Sequence, residues 1–169
     1  MDITDIVERY RSSVLRLGLY RGSDQIGSGS AFMAHGRVIT NSHVIRQGQF
    51  DAVEITFGDQ DTNPVSPIRL SQDDFLGRIR DESQEGSADF VVLDLSAEPE
   101  FAPRSDLPLS ISDDSVKVGD QVVLLGFPFM TNYLTSHVGH VSASYSAEAI
   151  HKLQIDAKYK QIDSLGLPR

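Results

Sequence analysis

Residues 27–44 of the chain read GSGSAFMAHGRVITNSHV, and this stretch is the most informative part of the sequence. The small and apolar residues on either side of His35-Gly36 predict two strands joined by a two-residue turn, because both positions accept the positive φ that such a turn requires. The second strand is predicted to end at Thr40, and His43 follows it among small polar residues. A histidine held just beyond a strand is a candidate general base.

Short apolar or alternating segments recur along the chain and predict an all-β fold, either a sandwich or a barrel. Between them, residues 58–67 and 73–87 are polar, and we expect both to form loops. The predicted strands cover residues 14–20, 27–34, 37–40, 52–57, 89–95, 121–126 and 135–144, after a short helix over residues 2–13.

The length of 169 residues suits one domain or two small ones. Residues 96–110 contain three of the seven prolines, which is typical of a connection between two halves. We therefore predict a first domain over residues 1–98, a linker over residues 99–110 and a second part over residues 111–169.

Composition excludes several classes of function. A net charge of −9 argues against nucleic acid as a partner, because phosphate binding needs clustered lysine and arginine. The chain has no cysteine, which excludes disulfides, thiolate nucleophiles and cysteine-based zinc sites. The N-terminus is acidic, and no window approaches the ~20 apolar residues of a membrane helix. We expect a soluble cytoplasmic protein without a membrane partner, or a periplasmic or secreted one if a leader is removed.

Acyl transfer by a serine needs a hydroxyl, a base and a carboxylate that orients the base. With His43 as the base, Asp89 is the candidate acid, because it precedes an apolar run at residues 90–93 that would keep its charge fixed and dry. Ser164 is the candidate nucleophile, since it lies in a short loop beside Gly166 where backbone N–H groups could hold an oxyanion.

Each of these residues also has an ordinary interpretation. His43 alone could be a surface histidine, and Asp89 alone could cap a turn. Asp94 is a rival acid, but we place it inside the strand with its side chain towards solvent. The acidic residues 73–82 lack the ordered spacing of a calcium site, and no metal or cofactor is expected. The remaining histidines are expected to face solvent: His35, His137, His140 and His151.

In five blocks the sequence resembles trypsin-like serine proteases of the bacterial HtrA/Deg type, and the blocks occur in the family's order. Residues 27–29 with 39–44 resemble GSG…(L/V)TNxHV, and residues 88–93 resemble the D-(L/I)-A-V-L strand. Residues 119–129 resemble G-(D/E)-x-V-x-x-(I/L)-G-x-P-F, residues 137–142 resemble xxGxVS, and residues 153–157 resemble (L/I)-Q-(T/I)-D-A.

The resemblance implies a chymotrypsin fold of two six-stranded-type antiparallel β-barrels, the first carrying His43 and Asp89. It also implies peptide-bond hydrolysis by a histidine, an aspartate and a serine, with a polypeptide substrate or peptide ligand as the partner. The sequence does not indicate whether the chain forms oligomers.

The nucleophile loop departs from the family pattern G-N-S-G-G-P. Counting forward from Asp156 puts Ser164 in register with the family serine, and the backbone N–H groups of Ile162 and Ser164 would form the oxyanion hole. Ile162, however, replaces a glycine in that hole, and a β-branched residue is poorly suited to positive φ. Leu165 and Leu167 likewise replace the following glycine and the proline.

The chain also ends at Arg169, so we expect the second barrel to be incomplete, as in a truncated, frame-shifted or diverged member. Three hypotheses follow: a serine endopeptidase, a catalytically inactive peptide-binding module on the same fold, and a fragment without a stable fold.

Overall fold

The fold is known from a computed structural model. It describes residues 2–46, 48–83, 88–101, 116–128, 130–147 and 150–156. The chain divides into two compact units, one of residues 1–111 and 125–135, the other of residues 112–124 and 136–169. The linker predicted over residues 99–110 lies outside the described residues from residue 102 onward, and its boundaries stay a prediction.

The described residues are mostly β-structure, as the sequence predicts. The strands are β1 (Val14–Arg21), β2 (Asp24–Ala34), β3 (Arg37–Thr40), β4 (Ala52–Phe57), β5 (Ile68–Ser71), β6 (Ile79–Glu82), β7 (Val91–Leu93), β8 (Gln121–Gly126), β9 (Thr135–Ala147) and β10 (Ile150–Asp156). The helices are α1 (Ile3–Tyr10), a 3₁₀ turn (Arg11–Ser13), α2 (Ser42–Ile45) and α3 (Gln72–Leu76). None of these helices is long and apolar enough to cross a membrane.

The first seven strands form one antiparallel sheet in the order β5-β4-β1-β2-β3-β7-β6, curled into a half-barrel. Alternate residues of the central strands point into the core, as the two-residue period of a strand requires. The fully buried side chains come mainly from β1, β4 and β7: Leu15, Leu17, Leu19, Val53, Ile55, Val91 and Leu93.

The other face of β1 is covered as well. Arg16 is only 3% exposed, and its guanidinium donates hydrogen bonds to the Thr131 carbonyl oxygen at 3.0 Å and to Gln25 Oε1 at 2.7 Å. These bonds satisfy a buried cation with neutral acceptors and hold residue 131 against β1.

The predicted hairpin is confirmed. Ala34 pairs with Arg37 across the turn, and His35 and Gly36 have φ of 50° and 70°. Two consecutive positive φ values define the type I′ turn, whose twist matches that of the flanking strands. The predicted strand over residues 52–57 coincides with β4.

The prediction of a loop over residues 73–87 is wrong in part. Residues 72–76 form α3, which is capped by Ser71: its Oγ accepts from the Asp74 N–H at 3.1 Å, and Phe75 is fully buried. Residues 79–82 form the edge strand β6, which pairs with β7. Three of its four residues are exposed, so it carries no alternating apolar pattern.

The second sheet has three described strands in the order β10-β9-β8. β8 coincides with the predicted strand over residues 121–126, whereas β9 continues three residues beyond the predicted end at residue 144. β10 adds an antiparallel partner to β9 over residues that the sequence pattern did not assign to a strand.

Candidate active site

His43 lies in α2, a single helical turn that begins directly after β3. Thr40, the last residue of β3, is buried and donates from Oγ1 to the Ser30 carbonyl oxygen at 2.9 Å. Within α2, Ser42, Val44 and Ile45 are buried, whereas His43 is exposed. These three buried residues fix the helical turn in place, and the imidazole of His43 lies at the surface.

Gly29 allows α2 to lie against β2. A Cβ atom at this position would lie 2.6 Å from Val44 Cγ2, well inside van der Waals contact. The glycine in the opening motif is thus required by close packing rather than by a turn, and it sets the depth at which α2 lies on the sheet.

Asp89 reaches His43 through the pairing of β3 with β7. In that pairing Thr40 lies opposite Val91, so the residues just before β7 run beside the start of α2. On the other side, the Ser83 N–H donates to the Phe90 carbonyl oxygen at 2.9 Å, and the Phe90 N–H donates to Ser83 Oγ at 3.1 Å. Asp89 is therefore held between two short hydrogen-bonded segments.

The carboxylate of Asp89 binds His43 twice. One oxygen, Oδ2, forms a hydrogen bond with the imidazole Nδ1, and the other, Oδ1, accepts from the His43 backbone N–H at 2.9 Å. N–H groups in the first turn of a helix have no partner within the helix, so the carboxylate supplies one. Two bonds to one residue fix the plane of the carboxylate relative to the ring.

These contacts lower the pKa of Asp89 below its ordinary value, chiefly through the hydrogen bond with the His43 side chain and next through the His43 backbone N–H. Asp89 is therefore ionised at neutral pH. A carboxylate on Nδ1 leaves the other ring nitrogen, Nε2, as the one that can accept a proton, which is the arrangement of a general base with its orienting acid.

The expectation that Asp89 would be dry is wrong. Its side chain is 47% exposed, and that of His43 is 60% exposed, because Asp89 precedes β7 instead of lying within the buried strand. The hydrogen bonds, not burial, fix its position.

The expectation for Asp94 is also wrong. β7 ends at Leu93, and the Asp94 side chain is only 17% exposed. It forms ion pairs with Arg37 at 2.9 Å and Arg80 at 3.4 Å, and its oxygens accept from Ser96, which contributes most to a pKa of about 2. Asp94 is thus held by the hydrogen bonds from Ser96 and by its own ion pairs.

The structure does not describe Ile162 or Ser164, which lie outside the described residues, and their relation to His43 stays a prediction. Of the other histidines, His35 occupies the hairpin turn, and the rest lie in the second sheet: His137 and His140 in β9, and His151 in β10. Sequence reasoning gave no role to Asn41, whose amide donates to the Asp89 carbonyl oxygen at 2.8 Å. Its place two residues before His43 was the available signal.

The sequence model of the trypsin-like peptidase domain matches residues 27–164, which include both His43 and Asp89. The chain belongs to the trypsin-like peptidase family. No curated protein sequence matches this peptidase domain.

Solved structures of HtrA/Deg-type proteases share its chymotrypsin-like fold, which confirms the resemblance seen in the motifs. The crystal structure of Deg5 is 19% identical with a TM-score of 0.63, over 92% of this chain and 73% of that one. A serine endoprotease from Yersinia pestis is 19% identical with a TM-score of 0.57, over 85% and 45%. The HtrA-type protease AlgW, solved with a tripeptide, is 20% identical with a TM-score of 0.57, over 88% and 42%. The peptidase domain thus spans less than half the length of the last two proteins.

Proposed function

We propose that this peptidase domain is a serine endopeptidase that hydrolyses peptide bonds. His43 acts as the general base, Asp89 orients it, and Ser164 is the nucleophile. The observation that carries the proposal is the pair of hydrogen bonds that the Asp89 carboxylate accepts from His43, because they fix the imidazole with Nε2 ready to accept a proton. The family match, which extends to residue 164, and the register of Ser164 after Asp156 support the choice of nucleophile.

In this mechanism the hydroxyl of Ser164 attacks the peptide carbonyl carbon while its proton passes to His43 Nε2. The backbone N–H groups of Ile162 and Ser164 would hold the negative oxygen that forms. The imidazolium then gives its proton to the amine nitrogen as the carbon–nitrogen bond breaks. Water, deprotonated by the same nitrogen, hydrolyses the acyl-serine and restores the enzyme.

Asp89 contributes at each proton transfer. It holds the tautomer that carries the proton on Nδ1, and its negative charge stabilises the imidazolium when Nε2 is protonated. The lowered pKa of Asp89 keeps the carboxylate ionised throughout the neutral range. No cofactor takes part in these steps.

The second candidate is an inactive peptide-binding module on the same fold. It is favoured by the nucleophile loop, where Ile162, Leu165 and Leu167 stand in place of two glycines and a proline. Loss of one oxyanion-hole donor typically lowers kcat by about 10²–10³. An extended peptide added to a sheet edge would still bind through its main chain.

A fluorophosphonate probe separates the two candidates, because it reacts covalently with an activated serine. The endopeptidase is labelled at Ser164, the Ser164→Ala variant is not labelled, and the His43→Ala variant reacts far more slowly. Absence of labelling, or labelling that persists in Ser164→Ala, contradicts the endopeptidase. Saturable peptide binding that is unaffected by His43→Ala then identifies the binding module.

A further inference from the structure

Asn41 occupies the N-cap position of α2 without capping it. Asparagine is among the preferred residues at this position, because its side-chain oxygen normally accepts from an N–H of the first turn. Here the side chain makes no such bond. Its amide instead donates to the Asp89 carbonyl oxygen, 48 residues further along the chain, at 2.8 Å.

The cap that Asn41 does not provide comes from Asp89. The His43 N–H, an orphan donor of the first helical turn, donates to Asp89 Oδ1 at 2.9 Å. Asn41 and Asp89 therefore exchange roles: the asparagine side chain binds the aspartate backbone, and the aspartate side chain binds the helix that the asparagine begins.

The exchange occurs where the strand ladder stops. Backbone pairing of β3 with β7 ends at Thr40 and Val91, and Asp89 lies two residues before that last pair. On the β3 side, the amide of Asn41 extends the pairing by one hydrogen bond, at the residue whose carboxylate contacts the imidazole.

We propose that Asn41 is a positioning residue, which fixes the backbone of Asp89 so that both carboxylate oxygens meet His43. The effect of Asn41 on catalysis rests on the proposed function. Its effect on the position of Asp89 does not, because it depends only on hydrogen bonds within the folded chain. Without the amide, the Asp89 carbonyl oxygen loses its hydrogen bond on the β3 side, and the carboxylate can rotate away from Nδ1 and from the His43 N–H.

The lowered pKa of Asp89 gives a direct readout, because its two largest causes are the two bonds to His43. The test is a ¹³C NMR titration of the Asp89 carboxyl in the full chain, compared between wild type and Asn41→Ala. Loss of positioning shifts this pKa upward, towards the ordinary value of 3.8, and makes the His43 amide exchange with solvent faster. Asn63→Ala is the matched control, since Asn63 is also exposed and its amide also bonds an aspartate, Asp59, and it leaves both readouts unchanged.

A second variant guards against unfolding. Asn41→Ser keeps a good N-cap residue at the start of α2, while its shorter side chain cannot span the distance to the Asp89 carbonyl. It is expected to fold and to show the same upward shift. If Asp89 titrates as in wild type in a folded Asn41→Ser or Asn41→Ala variant, Asn41 has only a structural role and the proposal is overturned.

Peptidase assays test whether the position of Asp89 affects catalysis. Misplacing a catalytic group by ~1 Å costs up to about 10² in rate, so we expect kcat to fall about 10–100-fold in Asn41→Ser with KM unchanged. An unchanged kcat overturns the catalytic meaning of the positioning. A wild-type chain without turnover, in which Asn41→Ser still raises the pKa of Asp89, supports the positioning and contradicts the proposed function.

Discussion

Gly29→Ala tests whether close packing of α2 on β2 sets the place of His43. The added Cβ would lie 2.6 Å from Val44 Cγ2 and 3.1 Å from Val44 Cβ, and no rotation about the Cα–Cβ bond of Val44 moves the latter atom. Overpacking of this kind costs about 1–3 kcal/mol. The loss of chain entropy in the unfolded state offsets about 0.4–1 kcal/mol. We therefore expect the free energy of unfolding to fall by about 1–2 kcal/mol.

The assay is urea denaturation of wild type, Gly29→Ala, Val44→Ala and the double variant. Val44→Ala removes two buried methyl groups and is expected to cost about 1.5–2 kcal/mol. In the double variant the clash is absent, so its loss of stability should fall short of the sum of the single losses by the overpacking cost, about 1–3 kcal/mol. Ser28→Ala, at the neighbouring position of β2, is the control and should be close to neutral.

Additive losses would contradict this prediction, because they would mean that residues 29 and 44 do not compete for the same space. A second readout is the amide proton of His43, which should shift in the NMR spectrum of Gly29→Ala and return towards its wild-type position in the double variant. If stability falls while that amide stays in place, the glycine does not set the position of α2.

Two further predictions concern charged groups of the first unit. The pKa of Asp94 is lowered from 3.8 to about 2, chiefly by the hydrogen bonds from Ser96 and next by Arg37 and Arg80. These contacts therefore contribute stability above pH 3.8 that is lost as the pH falls towards 2. In thermal melts over that window, the Tm of Asp94→Asn should fall less steeply with pH than the Tm of wild type, and equal slopes would contradict the assignment. Arg16→Ala leaves the Thr131 carbonyl oxygen and Gln25 Oε1 without the donor that the buried guanidinium supplies. The free energy of unfolding, measured in urea, should fall by about 2–4 kcal/mol. Arg21→Ala is the control, because Arg21 is exposed and also donates to a carbonyl oxygen, and it should lower the free energy of unfolding by about 1 kcal/mol or less. Similar losses for the two variants would show that burial of Arg16 does not cause the larger effect.

The parts of the fold that could be predicted have a local cause. The hairpin followed from two residues that accept positive φ, and β4 followed from a regular alternation of apolar side chains. The edge strand β6 was missed because most of its residues face solvent, so pairing with β7 and not the sequence pattern determines its conformation. α3 had a local signal, the Ser71 cap, within a segment interpreted as an acidic loop.

The candidate site divides in the same way. His43 and Asp89 were identified from motifs, and their contact depends on a pairing between β3 and β7 that brings together residues 46 positions apart. Asn41 acts through a hydrogen bond from its side chain to the Asp89 carbonyl oxygen, across to the neighbouring strand. The pattern of a single sequence does not show which distant residue a side chain will bind. The expected dryness of Asp89 was wrong because hydrogen bonds can fix a carboxylate without burying it.

His43, oriented by Asp89, is proposed to be the base of a peptidase. The most direct test is the cleavage of an unfolded fluorescent polypeptide by the full chain and by its His43→Ala and Asp89→Asn variants, with His35→Ala as the control. Wild type and His35→Ala should cleave the polypeptide, and the other two variants should lose about 10⁴-fold or more in kcat. Turnover that survives His43→Ala, or a wild-type chain that cleaves nothing, would contradict it.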